Sequence, residues 1–250
     1  MPHLAAVSAL KPYFRFPFAD RSATNRFLVG SGVFIASLFI PILPALFGLG
    51  YCVQILRRTA GSEPPAMHAW EDWGTLLKDG LRGWAISLLF FLPGLAAFVL
   101  GFLAYFASFL PLMSSTGADG DGGLAFLLLL GMGTMFLSFA VGSVLFVLAS
   151  IPLPVALAHF AFEDRFAAAF EVRGWWPILR RNLLGVLIAW IIIAGLMGVV
   201  WFASLALYYT FILICLLGFL VLPAYFYVLA VGAAIYGDLY AEGRELAAGG

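Results

Sequence analysis

NLLGVLIAWIIIAGLMGVVWFASLALYYTFILICLLGFLVLPAYFYVLAVGAAIYG, residues 182–237, contains no Asp, Glu, Lys or Arg. One helix crosses the hydrocarbon core of a bilayer with about 20 apolar residues. This run is more than twice that long, so it must fold back on itself. The polar cluster LYYT at 207–210 is the natural place, which predicts spans at 183–206 and 211–236. The turn carries no charge at all.

The rest of the chain is punctuated in the same way. No charged residue occurs at 27–56, 83–118 or 122–162. The second run predicts one span at 84–113, with Pro93 inside it. The third predicts another at 124–158, its end marked by Pro152 and Pro154. Pro177 is expected to open the helix that follows the long loop, since its missing N–H is harmless in a first turn. Overall 64% of residues are hydrophobic and 10% charged, against about a quarter charged in soluble domains. A soluble chain of this size has too little interior to hide so much apolar surface.

The first run, 28–56, is harder to read. Its length allows a single tilted span, but Pro41 and Pro44 sit in the middle. Proline breaks the helical ladder, and freed backbone groups are tolerated at membrane depth only inside protein or facing water. The run is either one kinked helix or a hairpin of two short helices. Lys and Arg, enriched in short cytoplasmic segments, favour the hairpin: all thirteen basic residues then share one side. A single span would strand Lys11, Arg15, Arg21 and Arg26 on the other. The expectation is one all-α domain, 1–250: a polytopic transmembrane helix bundle of four long spans plus a proline-broken hairpin or kinked span. It would sit in the cell membrane with both termini cytoplasmic. The N-terminal segment lacks the pattern of a cleavable signal peptide.

Two stretches suggest where the chain meets other molecules. In AWEDWGTLLKDGLRGW, 69–84, the residues Trp70, Trp73, Leu77, Leu81 and Trp84 recur at helical spacing, opposite Glu71, Asp72, Lys78, Asp79 and Arg82. Such a helix lies along the interface with its aromatics at headgroup level. The loop HFAFEDRFAAAFEVRGWWPILRRN, 159–182, offers Trp175 and Trp176 beside Arg180 and Arg181, a pattern suited to anionic headgroups. Trp70, Trp73, Trp84, Trp175, Trp176, Arg180 and Arg181 are therefore the candidate lipid or partner contacts. The alternative is that the basic residues only set orientation and that the acidic ones form a solvated face.

Chemistry is poorly represented. No Asp, Glu, Lys or Arg falls within a span, where coupled transporters place ionisable groups. Nucleotide-binding, hydrolase and metalloprotease motifs are missing. His159, near Glu163 and Asp164, reads as a residue snorkelling from a helix end. Cys52 and Cys215 read as small buried apolar residues. Gly32/Ala36, Ala97/Gly101 and Gly185/Ala189 have the spacing that lets helices approach closely. No catalytic, cofactor or metal residues are assigned, and the neutral net charge excludes nucleic acid as a partner.

Several of these stretches together resemble a known family. FADRSATNRFLVGS (18–31), GYCVQILRR (50–58), PPAMHAWEDWGTLLKDGL (64–81) and AAFEV (168–172) are similar to the prokaryotic membrane-protein family called domain of unknown function 4013. The resemblance implies a polytopic membrane protein without assigned activity and draws attention to Gly50, Tyr51, Trp70, Trp73, Asp79 and Gly80. Pro41, Pro44, Gly50, Tyr51, Asp79 and Gly80 form the structural motif. The expected function is non-enzymatic: engagement of membrane lipids, or of another membrane or cytoplasmic protein, through the amphipathic segments. The alternative is a transport component, a permease-like subunit or passive pore.

Overall fold

The computed structural model describes residues 10–110, 121–210 and 214–248, and all regular elements among them are helical. The main helices are α1 (Arg21–Ala36), α2 (Leu43–Ala60), α3 (Trp73–Ala107), α4 (Asp121–Ser150), α5 (Leu153–Glu163), α6 (Val172–Arg181), α7 (Leu183–Tyr209) and α8 (Ile214–Ala248). Four segments are long and apolar enough to cross a membrane: Trp73–Ala107, Ala125–Ser150, Leu183–Tyr209 and Gly218–Ala248. In α4 only 6% of the most apolar window is buried within the chain, as for a helix whose solvent is lipid. This is a multi-pass membrane protein.

The first apolar run is two helices. Pro41 lies in the break and Pro44 in the first turn of α2, where a missing N–H leaves nothing unpaired. Ile42 has φ 78° and ψ −59°, and the Leu43 N–H donates to the Pro41 carbonyl at 3.0 Å. That is a γ-turn of the rare positive-φ form, strained for a β-branched residue. A Cβ at Gly48 on α2 would collide with the ring of Phe34 on α1, so the two helices lie back against each other.

Three expected boundaries move. The stretch 69–84 does not form a helix of its own; from Trp73 onward it is the beginning of α3. Asp72 starts that helix, accepting from the Thr75 N–H at 3.0 Å and its hydroxyl at 2.7 Å. No proline follows until Pro93. The expected span 124–158 is interrupted at 151–152, where α4 gives way to α5. Pro177 lies inside α6 rather than opening α7, which begins after Asn182 at φ −118°.

The chain divides into two compact units, Met1–Ile86 with Pro154–Gly250, and Ser87–Leu153. In the larger unit Phe226 of α8 is fully buried. It stacks on Phe27 at 5.6 Å and meets Phe34 at 5.1 Å and Tyr51 at 5.9 Å, tying α8 to both α1 and α2. In the smaller unit the rest of α3 packs on α4. Phe91 and Phe146 stack at 5.0 Å, and Phe98 meets Phe146 at 5.4 Å and Phe139 at 4.8 Å. Small residues admit these rings: a Cβ at Gly94 would sit 2.5 Å from Phe146, and one at Gly142 2.9 Å from Phe98. Of the small-residue pairs, Gly101 meets Ser138 and Gly185 meets Asn182, whereas Gly32 faces open space.

Candidate functional site

The most densely connected polar region grows from one close helix crossing in the larger unit. A Cβ on Gly50 of α2 would collide with the carbonyl of Leu76, and one on Gly80 of α3 with the carbonyl of Leu46. Neither backbone can yield cheaply, so glycine is required at both positions. About two turns beyond Gly50 on α2, Arg57 faces Asp79. Its Nη1 donates to Asp79 Oδ2 at 2.8 Å, its Nε to the Ala161 carbonyl at 2.9 Å and its Nη2 to Asp164 Oδ1 at 3.1 Å. Arg82 adds a longer contact to Asp164 at 3.6 Å. The Asp79 side chain is 3% exposed. A buried carboxylate is tolerated only when paired and hydrogen-bonded. Arg57 thus fastens the end of α2 to α3 and to the segment after α5.

A second set of contacts pins the connection between α2 and α3. Tyr51 is fully buried and stacks on Trp70 at 4.2 Å and 7°, while its hydroxyl donates to the His68 carbonyl at 2.8 Å. The Trp70 indole N–H donates to the Arg26 carbonyl at 2.9 Å, and the Arg26 guanidinium returns to the Met67 carbonyl at 2.6 Å. Burial lowers the proton affinity of His68, helped by the positive charges of Arg58 and Arg26.

A third set joins α5, α6 and α8. His159 is buried, with Nδ1 2.7 Å from the Tyr240 hydroxyl, so it does not snorkel as expected. Burial again favours its neutral form. Trp175 is 4% exposed, and its indole N–H donates to the Ala169 carbonyl at 3.0 Å. The Arg244 guanidinium lies over Phe162, 4.2 Å from the ring centre. Asn182, just before α7, donates to the Leu239 carbonyl and to Glu242.

The residues singled out by sequence fall into groups. Gly50, Tyr51, Asp79 and Gly80 meet at the α2–α3 crossing, and Trp70 joins them. Pro41 and Pro44 lie at the other end of α2. Trp70 is half-buried and stacked on Tyr51, and Trp175 is buried within the protein. Trp73, Trp84 and Trp176 are 42%, 48% and 50% exposed, and Arg180 and Arg181 are exposed at the end of α6. Sequence reasoning passed over Arg57, Asp164, Arg26 and Phe226. Arg57 stood out only as a mark of orientation, because its partners lie 22 and 107 residues away. Among the described residues no three His, Cys, Asp or Glu side chains group as a metal site would require.

The residues of the α2–α3 crossing are those of the GY…W…DW…DGL series. A family model described as a protein of unknown function, DUF4013, matches residues 33–209, well over half of the chain. The chain belongs to the DUF4013 family. The DUF4013 match takes in Gly50, Tyr51, Arg57, Trp70, Asp79, Gly80 and Asp164, so the whole Arg57 junction lies within it. Phe226 and Tyr240 fall outside. No curated protein and no solved structure matches the chain.

Proposed function

We propose that this DUF4013 protein is a non-enzymatic component of the cell membrane that engages anionic lipid headgroups, or a partner protein, at its cytoplasmic face. The observation that carries this reading is how the charged helix ends are linked. Arg26 reaches the 61–72 connection, Arg57 joins α2, α3 and Asp164, Arg244 covers Phe162, and Asn182 joins α7 to α8. Every charged residue outside 119–121 belongs to the segments held by these contacts or flanking them. With all thirteen basic residues on that side, the positive-inside rule makes it cytoplasmic. α6 then lies beside the headgroups. Trp175, Ile178 and Leu179 face the protein, while Trp176, Arg180 and Arg181 face outward.

Two measurements test this. Single cysteines at Ser22 and Ser62 label only from the cytoplasmic side; labelling of position 22 from outside overturns the topology. Retention of anionic lipid by purified protein falls in the triple variant Trp176→Ala, Arg180→Gln, Arg181→Gln. Substrate turnover that depends on Glu71, Asp72 or Asp79 would sink the non-enzymatic reading. The transport alternative draws on one feature, the discontinuity between α1 and α2, since broken helices often line substrate paths. Liposome flux that is abolished by Pro44→Ala or Gln54→Ala would establish it instead.

A further inference from the structure

The larger unit contains a polar cavity of about 320 Å³ at the end of α2, lined by Gln54, Arg57, Arg58, Glu63 and His68. This is at the small end of the range for ligand pockets, about 300–1,000 Å³. Its lining is polar, whereas three other cavities of the protein are mainly apolar. We propose that it binds a phosphate group, with Arg58 as the principal contact and Gln54 and His68 completing the shell.

Three observations lead there. The first is charge. Two guanidinium groups line the cavity against one carboxylate, and Arg26 adds its field at His68. Arg57 is already matched by Asp79, Asp164 and the Ala161 carbonyl, which leaves Arg58 as the guanidinium free to receive an anion.

The second is the weakness of what now satisfies Arg58. Its Nε donates to the Pro64 carbonyl at 2.9 Å, and its Nη2 pairs with Glu63 at 3.2 Å. The Glu63 side chain is 61% exposed and lies just beyond the positive-φ residue Ser62. Exposed pairs of this kind contribute little. A phosphate, which matches the planar guanidinium with two parallel hydrogen bonds, can displace the Glu63 carboxylate and leave it in water.

The third is unused hydrogen-bonding capacity. Gln54 is half-buried, and no hydrogen bond engages its amide among the described residues. The Nδ1 of His68 is buried without a partner. Buried polar groups left unpaired are uncommon and costly. A bound oxyanion gives the Gln54 amide N–H an acceptor, and gives one to His68 in the tautomer that carries its proton on Nδ1.

The phosphate can come from a lipid headgroup or from free phosphate, and the experiment separates them. Full-length protein in detergent is titrated with inorganic phosphate, and retention of phosphatidylglycerol is followed by native mass spectrometry. Arg58→Gln and Gln54→Leu are expected to weaken binding by about tenfold, the scale of one charge-assisted hydrogen bond. Glu63→Gln is expected to tighten it by about threefold, because it removes the competing carboxylate. A gain of this kind cannot come from misfolding, and unchanged thermal unfolding of R58Q guards the losses. Binding of inorganic phosphate that competes with the lipid identifies free phosphate. Retention of phosphatidylglycerol that millimolar phosphate does not disturb identifies a headgroup. The proposal is overturned if neither probe binds, or if binding is the same in wild type, R58Q and E63Q. The variants lie outside α6, so this outcome would leave the lipid contact proposed for Trp176, Arg180 and Arg181 standing.

Discussion

The two units of the chain are held together by different physics. In Met1–Ile86 with Pro154–Gly250, charged and aromatic side chains reach between elements far apart in sequence. In Ser87–Leu153, α3 and α4 meet through phenylalanines seated on glycines, and the outward side chains remain bare: Leu100 is 65% exposed, Leu129 67% and Phe136 63%. Lipid is as apolar as leucine, so burial gives helices in a bilayer no net drive to associate. What remains is close packing and polar contact. Among the described residues the contacts that join α3 to α4 in the smaller unit are close packing of rings on small residues, while the larger unit adds polar contacts at its helix ends.

The sharpest way to break the contrast is Arg57→Ala. Removing one partner of a buried ion pair costs about 3–5 kcal/mol because the other charge is left unpaired. Asp79 would be that charge. Replacing both, as Arg57→Met with Asp79→Leu, should recover most of the loss. Denaturant unfolding in detergent reads the difference. If R57A alone unfolds like wild type, the junction does not hold the larger unit together.

Next come Leu76→Ala and Gly50→Ala, which act on the same crossing by opposite means. Leu76 is 1% exposed, and truncating a buried leucine costs about 2–5 kcal/mol. Gly50→Ala adds a methyl where a backbone carbonyl stands, an overpacking worth about 1–3 kcal/mol. Its combination with R57A should be less than additive, because both changes loosen the same α2–α3 contact.

Much of this architecture was legible in the sequence, because long charge-free runs report the solvent around a helix directly. The break at Pro41 was equally visible, although the γ-turn that makes it was not. What could not be read was which polar residues meet. Arg57 and Arg58 look alike as a pair of basic residues ending a span. Only the fold shows that Arg57 pairs with buried Asp79 and Arg58 with exposed Glu63. Trp70 and Trp73 likewise share a helical stripe, yet the irregular segment before α3 lays Trp70 on Tyr51, while Trp73 sits half-exposed against Trp70 and Phe47. Periodicity failed at that point because α3 starts between the two tryptophans.

A weaker effect should appear with pH. Burial depresses the proton affinity of both His68 and His159 below the ordinary value of 6.5. The unfolded chain therefore takes up protons first as the pH falls. Stability is full above pH 6.5 and declines as the pH drops from there toward the folded values. The slope is at most about 1.4 kcal/mol per pH unit for each histidine. The unfolding midpoint measured from pH 7.5 to 5 should fall, and His159→Gln should flatten the curve. Since both histidines belong to the larger unit, a pH dependence that survives His68→Gln with His159→Gln would place the sensitivity elsewhere.

The smallest expected effect is also the most diagnostic of how the two units differ. Leu100 and Leu76 lie on the same helix, α3, and Leu100→Ala is the same chemical change as Leu76→Ala. In water a bare leucine at position 100 would be a liability, and its removal a gain in solubility. In a bilayer its side chain exchanges lipid for lipid, and truncation leaves no cavity that lipid cannot fill. Surface substitutions of this kind stay within about 0.5 kcal/mol. L100A in nanodiscs should therefore unfold with wild-type protein while L76A does not. A loss at position 100 comparable to that at 76 would mean that another protein, rather than lipid, covers this side of α3.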